Sequence, residues 1–332
     1  MNKDNRTSVN YAAIDIGSNA VRLLIKHIEE TETTTRFSNI LLLRVPLRLG
    51  FDVFEKNKIT DKKAKDMIRL MKSFSYLMKI YNIKDYRACA TSAMRDSKNG
   101  KEIIRKIAKH TGIDIEIIDG QEEARIIYNN HIETMENRNG NYMYIDVGGG
   151  STEINLISKK ELVFCRSYNI GTIRMLNNAV KEDEWEKLRQ DMEGIAAQYQ
   201  DIDIIGSGGN INRLYKMIKK NSKKTKFITV EALSRLQEEL KQYTVEERME
   251  KFNLKPDRAD VIVPAADIFL TISGLVKSGR IYVPVIGLAD GLIDGIYLRN
   301  KPQQTTDKKQ KAQNTNQQAP DADQQAAAMK QD

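Results

Sequence analysis

The chain has 332 residues, 40% of them hydrophobic and 30% charged, with a formal net charge of +8. These proportions belong to a globular chain long enough for two cores and exclude a fibrous or wholly disordered one. No apolar run reaches membrane-spanning length, because Pro264, Asp267 and Ser273 interrupt the richest stretch, Val261 to Val276. Residues 1–10 are polar and lack the apolar core of a signal peptide, so a cytoplasmic protein with no membrane partner is expected. Two cysteines, Cys89 and Cys165, and three scattered histidines, His27, His110 and His131, form no metal-binding or disulfide pattern. The positive balance suits a polyanionic partner, and charge alone does not choose among phosphate chains, nucleotides and nucleic acid.

After the leader comes Tyr11-Ala12-Ala13-Ile14-Asp15-Ile16-Gly17-Ser18-Asn19, then the aliphatic run Val21 to Ile28. This reads as strand, Gly-rich turn, strand. Leu41 to Leu49 reads as a further strand carrying Arg44 and Arg48 and closed by Gly50. Thr60 is placed to cap a helix through Ala64, Met67, Ile68, Leu70, Met71 and Phe74, whose spacing makes one apolar face. Tyr86 to Ala90 is a short strand ending at Thr91-Ser92-Ala93-Met94-Arg95. Ligands of open α/β sheets bind beyond such strand ends, and the planar fork of Arg95 matches phosphate oxygens; a surface ion pair is the other reading.

Ile115 to Ile118 is another strand, and Asp119 to Tyr128 turns into a helix. Asp119 with Glu122 fits a capping box. From spacing alone Glu123 reads first as a solvated acid complementing the helix dipole, and second as a cleft carboxylate able to take a proton from water.

Tyr144-Ile145-Asp146-Val147-Gly148-Gly149-Gly150-Ser151-Thr152-Glu153 repeats the first hairpin, with Asp146 matching Asp15 and Gly148 matching Gly17. Glycine turns beside hydroxyls cradle phosphate, and flanking carboxylates suit a magnesium ion, which takes one or two of them with water and phosphate oxygens. Two copies of such a turn predict two similar domains facing across a cleft. Tyr168 to Arg174 is a small polar turn, and Lys181 to Tyr199 a charged amphipathic helix. Ile202 to Ile205 is a buried-type strand feeding Gly206-Ser207-Gly208-Gly209-Asn210 and a helix, which is an anion site by geometry. Lys216, Lys219, Lys220, Lys223, Lys224 and Lys226 then form a basic run, read more readily as a solvated face than as a phosphate guide. Val261 to Val276 is a buried helix entered through a proline turn, Leu292 to Leu298 a last helix, and the chain from Asn300 a polar tail expected to be disordered.

Five of these stretches together resemble the exopolyphosphatase and guanosine pentaphosphate phosphohydrolase family: AAIDIGSNAVRLLI at Ala12 to Ile25, ATSAMRDSKN at Ala90 to Asn99, GQEEARIIY at Gly120 to Tyr128, IDVGGGSTE at Ile145 to Glu153, and GSGGNINRL at Gly206 to Leu214. The resemblance implies an α/β chain of two ribonuclease-H-like domains in the actin-like ATPase and sugar kinase superfamily, with phosphates held between them. The expected layout is a leader at 1–10, domain I at 11–128, domain II at 129–290, a C-terminal helix at 291–300 set against domain I, and a tail at 301–332.

Glu123 then resembles the family's catalytic carboxylate, displacing the helix-dipole reading. Asp15, Asp146 and Glu153 resemble metal-associated carboxylates for magnesium. Gly17, Ser18, Asn19, Arg22, Arg95, Gly148, Gly149, Gly150, Ser151, Gly208 and Gly209 resemble the phosphate-binding set. The implied substrate is inorganic polyphosphate or guanosine pentaphosphate, with no nucleic-acid partner; a non-catalytic sensor of guanosine tetra- or pentaphosphate is the alternative of another class. Longer members carry an added helical region after the core, which would give more surface to grip a long phosphate chain. Related proteins often have threonine near the position of Asn210. A two-fold homodimer is the commonest default for such a chain.

Overall fold

The structure is a computed structural model and describes residues 7–31, 33–129, 140–218, 227–284 and 287–301. Its first half contains β1 (Thr7–Ile16), β2 (Val21–Glu30), β3 (Thr35–Val45), α1 (Leu49–Lys56), α2 (Asp61–Ile80), β4 (Asp85–Ala90), α3 (Ser92–Asp96), α4 (Gly100–Thr111), β5 (Glu116–Ile117) and α5 (Gly120–Asn129). The second half contains β6 (Asn141–Val147), β7 (Thr152–Ser158), β8 (Glu161–Tyr168), α6 (Thr172–Leu176), α7 (Glu182–Gln198), β9 (Ile202–Ser207), α8 (Gly209–Ile218), β10 (Phe227–Thr229), α9 (Val230–Lys241), α10 (Val245–Phe252), α11 (Pro256–Ala259), α12 (Ile262–Leu275), β11 (Arg280–Tyr282) and α13 (Leu288–Asn300). One compact unit runs to Tyr297 and holds both sheets.

The two sheets repeat one plan. The first has the order β3-β2-β1-β4-β5, and the second runs β8-β7-β6-β9-β11 with β10 added at its edge. In each, an antiparallel hairpin (β1/β2, β6/β7) is followed by a strand parallel to the first (β4, β9). Each sheet has its own core: Ile14, Leu23 and Ala88 pack with Met67, Met71 and Phe74 of α2, whereas Ile145, Leu156 and Ile204 pack with Ile268, Phe269 and Ile272 of α12.

Two helices set how the lobes meet. The residues of α13 pack with Tyr11, Ala13 and Leu24 of the first sheet, and Ile126 of α5 packs against the same cluster. At the crossing, a Cβ on Gly291 would stand 2.6 Å from the carbonyl oxygen of Ile126, so glycine there admits the neighbouring backbone. The first turn of α5 leans the other way, on Ser167 of β8, and α5 is therefore shared between the lobes.

Several expected elements differ in extent. The strand expected over Leu41 to Leu49 ends at Val45, since Pro46 cannot donate to a ladder, and Arg48 turns in the left-handed region at φ 53° to start α1. That turn receives the first hairpin: Arg48 N donates to Asn19 O at 2.9 Å and Gly50 N to Ser18 O at 2.8 Å. β1 begins at Thr7, inside the expected leader. Thr60 precedes α2, but its hydroxyl donates to Asp52 at 2.6 Å instead of capping. The capping box at α5 is half formed, because Asp119 accepts from Glu122 N at 2.8 Å while the Glu122 carboxylate turns to Arg87. The last helix starts earlier than expected because the Asp290 carboxylate reaches back to Gly287 N at 3.1 Å. Lys216 lies in the last turn of α8, while the remainder of the lysine run, His131 and the tail beyond Lys301 lie outside the described residues.

Candidate active site

The two hairpin turns open into one cleft of about 440 Å³. Each closes with the same bond, Gly17 N to Ala20 O at 3.1 Å and Gly148 N to Ser151 O at 2.9 Å. The register places Asp15 opposite Arg22 and Asp146 opposite Glu153. At equivalent positions, then, the first hairpin presents a carboxylate with a guanidinium and the second presents two carboxylates. Arg22 and Asp15 form an ion pair. The hydroxyls nearest Asp146 and Glu153 bond them: Ser207 donates to Asp146 at 3.4 Å, and Ser167, opposite Glu153 on β8, donates to Glu153 at 2.8 Å.

Glu123, one turn into α5, completes the carboxylate cluster. It is 8% exposed and its Oε2 is buried without a hydrogen-bond partner, so the solvated-acid reading of this residue does not hold. Burial, followed by the charges of Glu153, Asp146 and Asp15, pushes its carboxyl well above the ordinary range, with Arg95 pulling the other way. Burial and then Asp146 push Glu153 up to about 7. Asp146 is only half-buried on the cleft, and burial of its surroundings moves it up to about 6, with Arg22 opposing.

These shifts have a defined consequence for stability. Carboxyls whose folded-state pKa lies above the unfolded value favour the fold below pH ~4, and that contribution is lost as pH rises through the folded values. The window here runs from about pH 4 to about 7. The melting temperature of the ligand-free protein is expected to fall across it relative to the Asp146→Asn, Glu153→Gln double variant. Parallel profiles for the two proteins would show that the fold does not raise the pKa values of these carboxyls.

Of the expected phosphate-binding residues, Gly17, Ser18, Asn19, Arg22, Gly148, Gly149, Ser151, Gly208 and Gly209 line the cleft. Gly208 needs to be glycine twice over: its φ is +93°, and a Cβ would sit 2.5 Å from Asp146 Oδ1. Gly150 and Arg95 do not line the cleft. Gly150 is buried where the turns of the two lobes meet, against Ser18, Ser92 and Phe54, and Ser18 and Ser92 share a hydroxyl hydrogen bond of 2.8 Å. Arg95 donates to Ile118 O at 3.1 Å and acts on Glu123 and Glu153 through its charge.

Sequence reading missed Ser167 and Ser207, which hold the carboxylates, and Arg44 and Arg258, which bring positive charge to the cleft wall. Arg258 bonds Asn210 Oδ1 at 2.6 Å, covers Gly209, and is pushed down to about 9 by burial and then by Arg44 and Arg22. The only available signal for Ser167 was alternation on a strand neighbouring Glu153, which needs the pairing to be known.

Among the described residues, no group of three or more His, Cys, Asp or Glu side chains is arranged to hold a metal ion by itself, so Asp15, Asp146 and Glu153 do not form a cage. Asp15 is committed to Arg22. The paired oxygens of Asp146 and Glu153, with their raised pKa values and the unpartnered Oε2 of Glu123, fit a hard divalent cation that completes its shell with water and phosphate oxygens. No helix among the described residues is long and apolar enough to cross a membrane.

A two-lobed α/β protein of the actin-like type, with a cleft lined by repeated glycine hairpins, carboxylates and arginines, is the class these features define. The family model for Ppx/GppA phosphatases matches residues 25–300, and the chain belongs to that family. A family member from Aquifex aeolicus superposes with a TM-score of 0.71 at 24% identity, covering 89% of this chain and 99% of that one. An exopolyphosphatase from Cytophaga hutchinsonii superposes with a TM-score of 0.77 at 23% identity, covering 88% and 99%. In sequence, the guanosine-5'-triphosphate,3'-diphosphate pyrophosphatase of Aliivibrio fischeri is 24% identical over 307 residues, which is 89% of this chain. The chain spans about 60% of the length of this curated relative.

Proposed function

We propose that the chain is an exopolyphosphatase, removing the terminal phosphate of inorganic polyphosphate by hydrolysis with water activated by Glu123. The observation that carries this reading is the buried, unpartnered Oε2 of Glu123 in a cleft that also holds glycine turns, arginines and the carboxylates of Asp15, Asp146 and Glu153. Burial and the neighbouring carboxylates raise the proton affinity of Glu123, which suits it to take a proton from water. The water oxygen forms a bond to the terminal phosphorus as the bond to the bridging oxygen breaks. Glu123 takes the proton of the attacking water, and the shortened chain leaves on the bridging oxygen. Backbone amides of the Gly17 and Gly148 turns and the Arg22 guanidinium hold the phosphate oxygens as charge shifts. Asp146 and Glu153 would hold a magnesium ion, which when bound offsets the negative charge of the phosphate oxygens.

Guanosine pentaphosphate is the second reading, and one feature favours it: Leu42, 61% exposed, lines the same cleft with Leu24 and Leu288, an apolar ledge that a bare phosphate chain does not need. The test is phosphate release from tripolyphosphate, long-chain polyphosphate and guanosine pentaphosphate side by side with magnesium present. Release from at least one is expected. No release from any of the three by folded protein would overturn the hydrolase reading in favour of a non-catalytic binder.

A further inference from the structure

β3 sends Arg44 across the cleft, where it pairs with Asp257 of α11, and Arg48 pairs with Asp260 just beyond the same helix. Two ion pairs therefore tie the first lobe to the second. A strap would explain them if the guanidinium of Arg44 were otherwise satisfied. It is not: its Nε and Nη2 are both buried with no hydrogen-bond partner. A guanidinium carries five N–H donors in a planar fork, so Asp257 occupies one corner and leaves the rest of the fork unused.

The surroundings of Arg44 are positive. Burial lowers its pKa first, and the charges of Arg22 and Arg48 lower it further. Arg258, which bonds an amide oxygen instead of a carboxylate, stands on the same cleft wall, and Lys216 lines that wall too. Arg22 connects the two ends of the cleft, because it feels Asp15, Asp146 and Glu123 on one side and acts on Arg44 and Arg258 on the other. The carboxylate end is where a phosphate would react. The arginine end has charge and donors in excess.

We propose that Arg44 forms a second anion subsite, taking a phosphate group one or more places away from the bond being broken, and that Asp257 competes with that phosphate for the guanidinium. The subsite rests on the cleft being a phosphate site, but not on turnover. It gives the site a reason to prefer a substrate with several linked phosphates over a single phosphate, since only a chain can reach both ends.

The opposed effects of two variants separate a subsite from a strap. Tripolyphosphate binding to the full chain is measured by titration calorimetry, with phosphate release followed in parallel on the unaltered protein. Arg44→Met is expected to weaken binding by about tenfold to a hundredfold, the range for loss of a charged hydrogen bond. Arg44→Lys keeps the charge without the fork and should fall between the two. Asp257→Asn removes the competing carboxylate and should tighten binding severalfold. A strap predicts that Arg44→Met and Asp257→Asn weaken binding alike, and that result, or a change below about twofold in Arg44→Met, would overturn the subsite. Failure to release phosphate with this binding pattern intact would overturn hydrolysis and leave the subsite standing.

Discussion

Glu123→Gln is expected to lower kcat for phosphate release by about 10²- to 10⁴-fold, the range supplied by a positioned general base. Glutamine preserves the shape of the side chain and removes its capacity to hold a proton from water. Substrate affinity should hold or improve, because the variant deletes one of the buried negative charges that face an anionic ligand. The ligand-free protein should also melt higher, since an acid pushed well above its ordinary range by burial and then by Glu153, Asp146 and Asp15 is replaced by a neutral amide. Rapid-quench turnover and calorimetric titration with tripolyphosphate measure the two halves of this expectation. Turnover within about threefold of the unaltered protein would remove Glu123 from the role assigned to it.

Gly171→Ala is expected to displace the glycine turn of the second hairpin beside the cleft. Gly171 precedes α6 and lies against the glycine turn of the second hairpin: Thr172 N donates to Gly148 O at 3.0 Å and Ile173 N to Gly149 O at 2.8 Å. A Cβ on Gly171 would stand 2.6 Å from the carbonyl carbon of Gly149 and closer still to the backbone of Gly150. Backbone atoms cannot rotate away as a side chain would, so the turn itself must move. Overpacking of this kind costs about 1–3 kcal/mol. The larger effect should be on activity, because Gly148, Gly149 and Ser151 line the cleft and their amides would be re-aimed. Urea unfolding and steady-state kinetics on the same preparation separate the two. A loss of stability with unchanged kcat/KM would show that the turn is not part of the site.

Gly194 provides the contrast. It lies within α7 and a Cβ there meets nothing within 4 Å, so Gly194→Ala should leave both stability and activity close to their original values or raise stability slightly.

The repeated hairpins are legible in the amino-acid sequence, because strand, Asp, Gly-rich turn and strand are local patterns whose chemistry is carried by adjacent residues. Asp15 with Gly17 and Asp146 with Gly148 sit where that pattern puts them, and the turn at Gly208 has the positive φ that its glycine permits. Local pattern also predicted α2, α5, α7, α8, α12 and α13, through apolar spacing such as that of Met67, Met71 and Phe74, but not α4 or α9. It could not tell whether Glu123 faces water or a cleft, since both fit the first turn of a helix; the resemblance to known motifs chose the cleft, and only the packing of α5 between two lobes buries the side chain. Nor could it separate Gly150 from Gly149, neighbours in one turn. Their difference comes from the opposite lobe, where Ser18, Ser92 and Phe54 close over Gly150. Arg44 and Arg258 show the same limit more sharply. Nothing within a few residues of either names a ligand, and their convergence on one wall follows from β3 and α11 meeting across the cleft, with Arg44 and Asp257 213 residues apart in the chain.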